Sequence, residues 1–242
     1  MTKTEGKKIR VSKWVFKTKE VRYHKPRLVV RGCHQEPGID YEDTYSPVLK
    51  SVPMRALFGM VQSEGYTLQT FYIKTAFIYG QVEESAYMYP PEVLSIDGIC
   101  RLKKCLYGMR QAPQRWNVWI TDFLKSKGLY QLKSEPCIFK NCDGSLILGL
   151  YMDDGLVIGK NHKGIEELLE NLQEEFEIRI QVNSLKFHVM EFVRTENCVH
   201  MNYAKTVNQL FKDNMSEAKA VSTPAVDTVD KDETEINRVF PY

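Results

Sequence analysis

Leu146-Ile147-Leu148-Gly149-Leu150-Tyr151-Met152-Asp153-Asp154-Gly155-Leu156-Val157-Ile158-Gly159 sets two short apolar runs around a pair of adjacent carboxylates. Each run, of about five residues, has the length and composition of a buried strand. Asp153-Asp154-Gly155 between them reads as a hairpin turn, which predicts strands near 146–151 and 155–159. Neighbouring carboxylates repel, so such a pair needs either open water or a cation between its members. Hard divalent cations, Mg²⁺ or Mn²⁺, take oxygen ligands of this kind. On the motif alone, a solvated Asp-Gly turn accounts for these residues as well as a metal site does.

The rest of the chain sets the frame. It has 242 residues, 43% of them hydrophobic and 26% charged, with a net charge of +2. That composition fits a globular protein able to bury a sizeable core. No run approaches the ~18 apolar residues of a transmembrane helix. The polar start Met1-Thr2-Lys3-Thr4-Glu5-Gly6-Lys7-Lys8 leads into no apolar signal core. The expected location is intracellular, in cytoplasm or nucleus, with no membrane partner. The six cysteines form no Cys-x-x-Cys pair. Cys100/Cys105 and Cys137/Cys142 share a four-residue gap but have no His at zinc-finger spacing. Buried thiols in a reducing compartment are the expectation.

Charge is unevenly spread. Residues 1–35 hold eleven Lys/Arg against two acids, a net of +9, whereas residues 223–242 carry a net of −3. A basic end can follow a phosphate backbone, and it can equally be a solvated face. Three segments follow from this: a basic N-terminal extension (1–12), a folded region (13–222) and an acidic tail (223–242). The tail has few large apolar residues and is expected to be extended or disordered.

Within the folded region, 12–16 and 26–31 read as paired strands of a basic hairpin, and 36–41 as a turn. Helices are predicted at 51–65, with Val52, Leu57, Met60 and Val61 on one side, and at 116–127, through Trp116, Trp119, Ile120 and Phe123. Two more are predicted at 165–176, through Ile165, Leu168, Leu169, Leu172 and Phe176, and at 207–215. A strand and its exit turn fall within 68–77. Two or three strands run through 177–193 and 198–201.

Four segments, in order, resemble the reverse transcriptase of Ty1/copia-type retrotransposons. The first is Lys25-Pro26-Arg27-Leu28-Val29-Val30-Arg31-Gly32 with Gly38-Ile39-Asp40-Tyr41-Glu42-Asp43-Thr44-Tyr45-Ser46-Pro47-Val48. The second is Ile73-Lys74-Thr75-Ala76-Phe77-Ile78-Tyr79-Gly80. The third is Leu102-Lys103-Lys104-Cys105-Leu106-Tyr107-Gly108-Met109-Arg110-Gln111-Ala112-Pro113, and the fourth is the Tyr151–Asp154 tetrapeptide. Tyr-x-Asp-Asp alone is weak. With Leu-Tyr-Gly-x-x-Gln-Ala-Pro about forty residues before it, the combination is specific.

The resemblance implies RNA-directed DNA polymerase chemistry. Two metal ions about 3.5–4 Å apart would activate a 3′-hydroxyl and neutralise the leaving pyrophosphate. It implies Asp153 as a direct ligand of Mg²⁺ or Mn²⁺ and Asp154 as a ligand or close partner, with Tyr151 and Met152 supporting the hairpin. Phe77 would lie under the nucleotide sugar, although core packing explains an aromatic there as well. Gln111 would contact nucleotide and template, although a loop before a helix starting near Pro113 also explains it. Lys25, Arg27 and Arg31 would lie in the fingers near the triphosphate, with none singled out. The implied partners are RNA or DNA template–primer, deoxynucleoside triphosphates and the rest of a Pol polyprotein.

One departure governs how that function is stated. The family's first catalytic Asp falls on Tyr72, and no other acid lies within 68–81. A phenol titrates near pH 10 and is a poor Mg²⁺ ligand. Three further departures agree: Val189 where a turn glycine is usual, the short first turn Lys19-Glu20-Val21-Arg22, and Gln81 where an Asp is usual. The expected fold is α+β, fingers and palm without thumb or ribonuclease H, with a four-stranded antiparallel palm sheet backed by helices. The expected function is an impaired polymerase domain. The alternatives are a nucleic-acid-binding relic without catalysis and a decayed transposon copy.

Overall fold

Apolar residues on both faces of the Leu146–Gly159 hairpin require two covering layers, and both are present in the computed structural model. It describes residues 9–19, 23–91, 93, 97–181, 185–187, 190–195 and 198–214. The chain opens with β1 (Ile9–Arg10), β2 (Ser12–Lys19) and β3 (Tyr23–Val30), then α1 (Ser51–Ser63), β4 (Thr67–Ile73), β5 (Gln81–Met88) and β6 (Cys100–Lys104). It continues with α2 (Ala112–Ser126), β7 (Tyr130–Gln131), β8 (Ile138–Lys140), β9 (Leu146–Tyr151), β10 (Asp154–Gly159) and α3 (His162–Glu175). Last come β11 (Ile178–Gln181), β12 (Leu185–Phe187), β13 (Met190–Arg194), β14 (Val199–Asn202) and α4 (Ala204–Asn214).

The central sheet has six strands in the order β11-β4-β10-β9-β8-β7, all adjacent pairs antiparallel. The expected four-stranded sheet is thus extended by β7 and β8, of two and three residues. Their brevity leaves no alternation for a sequence pattern to register.

Side chains alternate across the sheet with the period of two that strands impose. Leu148 and Leu150 of β9 and Val157 of β10 enter a cluster with Trp116, Ile120 and Leu124 of α2 and Ile165, Leu168, Leu169 and Leu172 of α3. Ile147, Leu156 and Ile158 point the other way, against Met54, Leu57, Phe58 and Val61 of α1 and Phe187, Met190 and Phe192 of β12 and β13. The buried stripe of α1 therefore runs through 54, 57, 58 and 61 at helical spacing. Val52, expected on it, is 73% exposed.

The other predicted helices begin earlier than their apolar stripes. Pro113 sits at the second position of α2, where its missing N–H costs no helical bond. The Asn161 side chain caps α3 by accepting from the Gly164 N–H at 2.9 Å.

A three-stranded sheet β1-β5-β6 and the two-stranded hairpin β2-β3 lie before α2 in sequence. Val30, Met88, Cys105, Met109 and Ala112 form a third cluster there. Arg10, counted in the basic extension, is not a solvated charge. It is 6% exposed, pairs with Asp40, and donates through Nη1 to the His34 carbonyl at 2.6 Å. None of the six cysteines is in a disulfide.

The chain separates into two units, 1–202 and 203–242. The described part of the second is Tyr203 and α4, which exposes Val207, Leu210 and Phe211. The acidic tail, the turn at 20–22 and Val189 lie outside the described residues. Among the described residues, no helix is long and apolar enough to cross a membrane.

Candidate active site

Tyr151 pairs with Asp154 across β9 and β10, so the turn is Met152-Asp153 and Asp154 already belongs to β10. This is one residue earlier than the Asp-Asp-Gly reading. Gly155 serves packing, not turning. A Cβ on it would stand 2.1 Å from the Phe71 ring, and Phe71 is fully buried. Met152 takes the left-handed conformation, φ 55°, which costs a side-chain-bearing residue roughly 1–2 kcal/mol. Trp116, 2% exposed, holds the turn by donating from Nε1 to the Met152 carbonyl at 2.8 Å. Its ring is braced at 5.5 Å by Phe176 and at 6.0 Å by Tyr79.

β4 runs beside β10 with Tyr72 directly opposite Asp154. The Ile73 N–H donates to the Asp153 carbonyl at 2.8 Å. The Tyr72 hydroxyl hydrogen-bonds the Asp153 carboxylate. Burial first, and then that carboxylate, push the phenol up to about 12. Tyr72 is therefore a neutral donor at any physiological pH.

A second phenol joins from the loop before α2. Tyr107 is half-buried, and burial followed by the charge on Asp153 raises its titration as well. The loop is pinned to β3, where the Val30 N–H donates to the Tyr107 carbonyl at 2.8 Å. Gly108, at φ 89°, makes this approach possible, since a Cβ there would stand 2.2 Å from the Val30 carbonyl oxygen. Arg27 hydrogen-bonds Tyr107 and lies over its ring at 5.5 Å. Its charge opposes the rise at both phenols.

Of the three basic residues expected in the fingers, Arg27 is the one that reaches Tyr107. Arg31 is exposed, and its backbone N–H donates to the Val11 carbonyl at 3.0 Å. Lys25 pairs with Lys17 in the β2–β3 ladder, and its side chain lies outside the described set. Phe77 is half-buried and meets Tyr107 edge-on, ring centroids 5.3 Å apart. Tyr151 packs against the cluster on the α1 side of the sheet. Gln81 opens β5 opposite Lys104 and is exposed.

Gln111 is 1% exposed and faces the protein. Its Oε1 accepts from Gln35 Nε2 at 2.9 Å, and its Nε2 donates to the Asp40 carbonyl at 3.1 Å. Gln35 Oε1 in turn accepts from the Arg110 N–H at 2.8 Å. Both ends of the amide hold the 35–41 loop against the start of α2. Sequence reasoning missed Tyr107 and Gln35 as parts of the site. The glycine after Tyr107 was the available signal, because it marks a close backbone approach.

The family chemistry needs several charged oxygens around two cations. Among the described residues, no three His, Cys, Asp or Glu side chains gather where they could share a metal. Asp153 and Asp154 supply two carboxylates, and Tyr72 beside them is a neutral donor. This donor set does not fit a two-metal centre.

The model of the family described as "Reverse transcriptase (RNA-dependent DNA polymerase)" matches residues 2–227. The chain is 35% identical over 236 residues to the retrovirus-related Pol polyprotein from transposon TNT 1-94 of Nicotiana tabacum, covering 91% of the chain and 18% of that polyprotein. It is 30% identical over 224 residues to the Pol polyprotein from transposon RE1 of Arabidopsis thaliana, covering 88% of the chain and 15% of the relative. It is 28% identical over 183 residues to the transposon Ty1-ER2 Gag-Pol polyprotein of Saccharomyces cerevisiae, covering 73% and 10%. The chain thus spans under a fifth of the length of these relatives. A telomerase structure from Candida albicans aligns at a TM-score of 0.44 with 10% identity, over 82% of the chain and 47% of that structure.

Proposed function

The chain belongs to the reverse transcriptase (RNA-dependent DNA polymerase) family, as the domain found in copia-type Pol polyproteins, and from that membership we propose a fingers-and-palm piece that grips template–primer but transfers nucleotides poorly or not at all. The observation that carries this reading is the Tyr72 hydroxyl on the Asp153 carboxylate. In a two-metal polymerase, the bound ions activate the primer 3′-hydroxyl and neutralise the leaving pyrophosphate. With a neutral phenol at the third position, the charge that would gather those ions is short by one unit. Loss of one such catalytic group commonly costs several orders of magnitude in rate.

The proposed partners are RNA or DNA template–primer and deoxynucleoside triphosphates. Asp153 and Asp154 keep negative charge at the hairpin. Phe77, edge-on to Tyr107, would offer an apolar floor to the sugar. Gln111 would act at one remove, by fixing the 35–41 loop. The β2–β3 hairpin and Arg27 would supply the phosphate grip.

The grip is tested by fluorescence anisotropy of a labelled template–primer duplex across a salt series. Log affinity should fall with log salt by roughly 0.9 per phosphate neutralised on B-form DNA. Arg27→Ala should lower that slope by about one phosphate. Salt-independent binding contradicts the reading, as does a slope unchanged by neutralising Arg27, Arg31 and Lys25 together.

A further inference from the structure

The residues around Asp153 do more than lack a charge. Had Tyr72 been an aspartate, three carboxylates would meet at the β4–β10 junction. Their mutual repulsion, at an effective dielectric well below that of water, would be relieved chiefly by a bound cation. The residue in place reverses that logic. The Tyr72 hydroxyl donates to Asp153, the charge of that carboxylate is felt at Tyr107, and Arg27 lies over the Tyr107 ring. A neutral donor thus stands where a third carboxylate would. The register leaves little room for rearrangement: Tyr72 is fixed opposite Asp154, Ile73 is bonded to the Asp153 carbonyl, and Trp116 is bonded to the Met152 carbonyl.

We propose that Tyr72 is an internal substitute for the cation, and that Tyr72, Tyr107 and Arg27 hold the Asp153-Asp154 hairpin in a stable, cation-refusing state. The proposal rests on the palm reading of the hairpin. It goes beyond loss of activity, because it says that the metal-free state is the relaxed state of this chain. An unsatisfied carboxylate cluster would instead leave that state under strain. A cost follows for any divalent ion that binds here: it competes with the Tyr72 hydroxyl for the charge of the Asp153 carboxylate.

The test is Mn²⁺ binding, followed by the electron paramagnetic resonance signal of the free ion, together with thermal unfolding in chelator and in excess Mn²⁺. The unmodified chain, Tyr72→Phe, Tyr72→Asp and Asp153→Asn are compared. The unmodified chain should take up no Mn²⁺ that Asp153→Asn abolishes, and its melting temperature should be the same with chelator as with Mn²⁺. Tyr72→Phe removes the hydroxyl while keeping the ring, and should open weak Mn²⁺ uptake dependent on Asp153. Tyr72→Asp should bind Mn²⁺ roughly tenfold to several hundredfold tighter than the unmodified chain, the effect of one added charge beside the ion. It should also melt lower than the unmodified chain in chelator and gain stability from Mn²⁺.

Asp153-dependent Mn²⁺ binding by the unmodified chain overturns the proposal and leaves the palm reading standing. A folded Tyr72→Asp chain that gains no Mn²⁺ affinity overturns the palm reading itself. If Tyr72→Asp fails to fold in chelator and folds with Mn²⁺, that supports the proposal directly. If it fails to fold in both, the unmodified chain and Tyr72→Phe still decide: Mn²⁺ uptake equal in the two overturns the proposal.

Discussion

Tyr72 stands directly opposite Asp154 across the β4–β10 ladder, and its hydroxyl is bonded to the carboxylate of the preceding Asp153. A neutral phenol thus faces the two carboxylates of the hairpin tip. The sheet carries this pairing between two covering layers, against α2 and α3 on one face and α1 on the other.

Trp116→Phe tests how the tip is held. The variant keeps an aromatic between Tyr79 and Phe176 but removes the donor to the Met152 carbonyl. An orphaned carbonyl on a left-handed residue should cost about 1–3 kcal/mol, read as a shifted midpoint in urea unfolding. An unchanged midpoint would mean that the ladder alone holds the turn.

Gln111→Leu separates two roles for one residue. Buried as it is, the change leaves Gln35 Nε2 and the Asp40 carbonyl without partners. The loss should be about 1–3 kcal/mol. Amide exchange should quicken at Gly38, Ile39 and Asp40, whose N–H groups close that loop. If exchange there is unchanged and only nucleotide affinity falls, the side chain reaches substrate directly.

Much of this architecture was legible beforehand. The two apolar runs announced β9 and β10 because a strand buried on both faces needs apolar residues at successive positions. The Leu168/Leu172 and Trp116/Ile120 spacings announced α3 and α2. What escaped has identifiable causes. Gly155 imitated a turn residue, although its task is to make room for Phe71, which lies on another strand. β5 and β6 escaped because their pairing slips register between Gln81 and Ala86 and three of the five residues of β6 are charged. Arg10 was counted as surface charge because its partner Asp40 lies thirty residues away. Gln111 was assigned outward because only the fold brings Gln35 to it.

Cys137 gives a pH signature away from the hairpin. Burial first, then the Glu135 carboxylate, push its thiol from 9.0 up to about 12. The folded chain keeps this proton where the unfolded chain has released it. The stabilisation is therefore complete below about pH 9 and is lost as pH rises toward about 12. Relative to Cys137→Ala, the unmodified chain should lose stability across this alkaline window and hold a constant difference below it. Parallel curves throughout would show that the thiol opens to solvent.

Primer extension on a homopolymer template, with Mg²⁺ or Mn²⁺, compares the unmodified chain with Tyr72→Asp and tests the central claim most directly. The account predicts little or no incorporation by the unmodified chain and a rise of orders of magnitude in the variant. Robust extension by the unmodified chain would contradict it, because Asp153 and Asp154 would then suffice with a phenol at position 72.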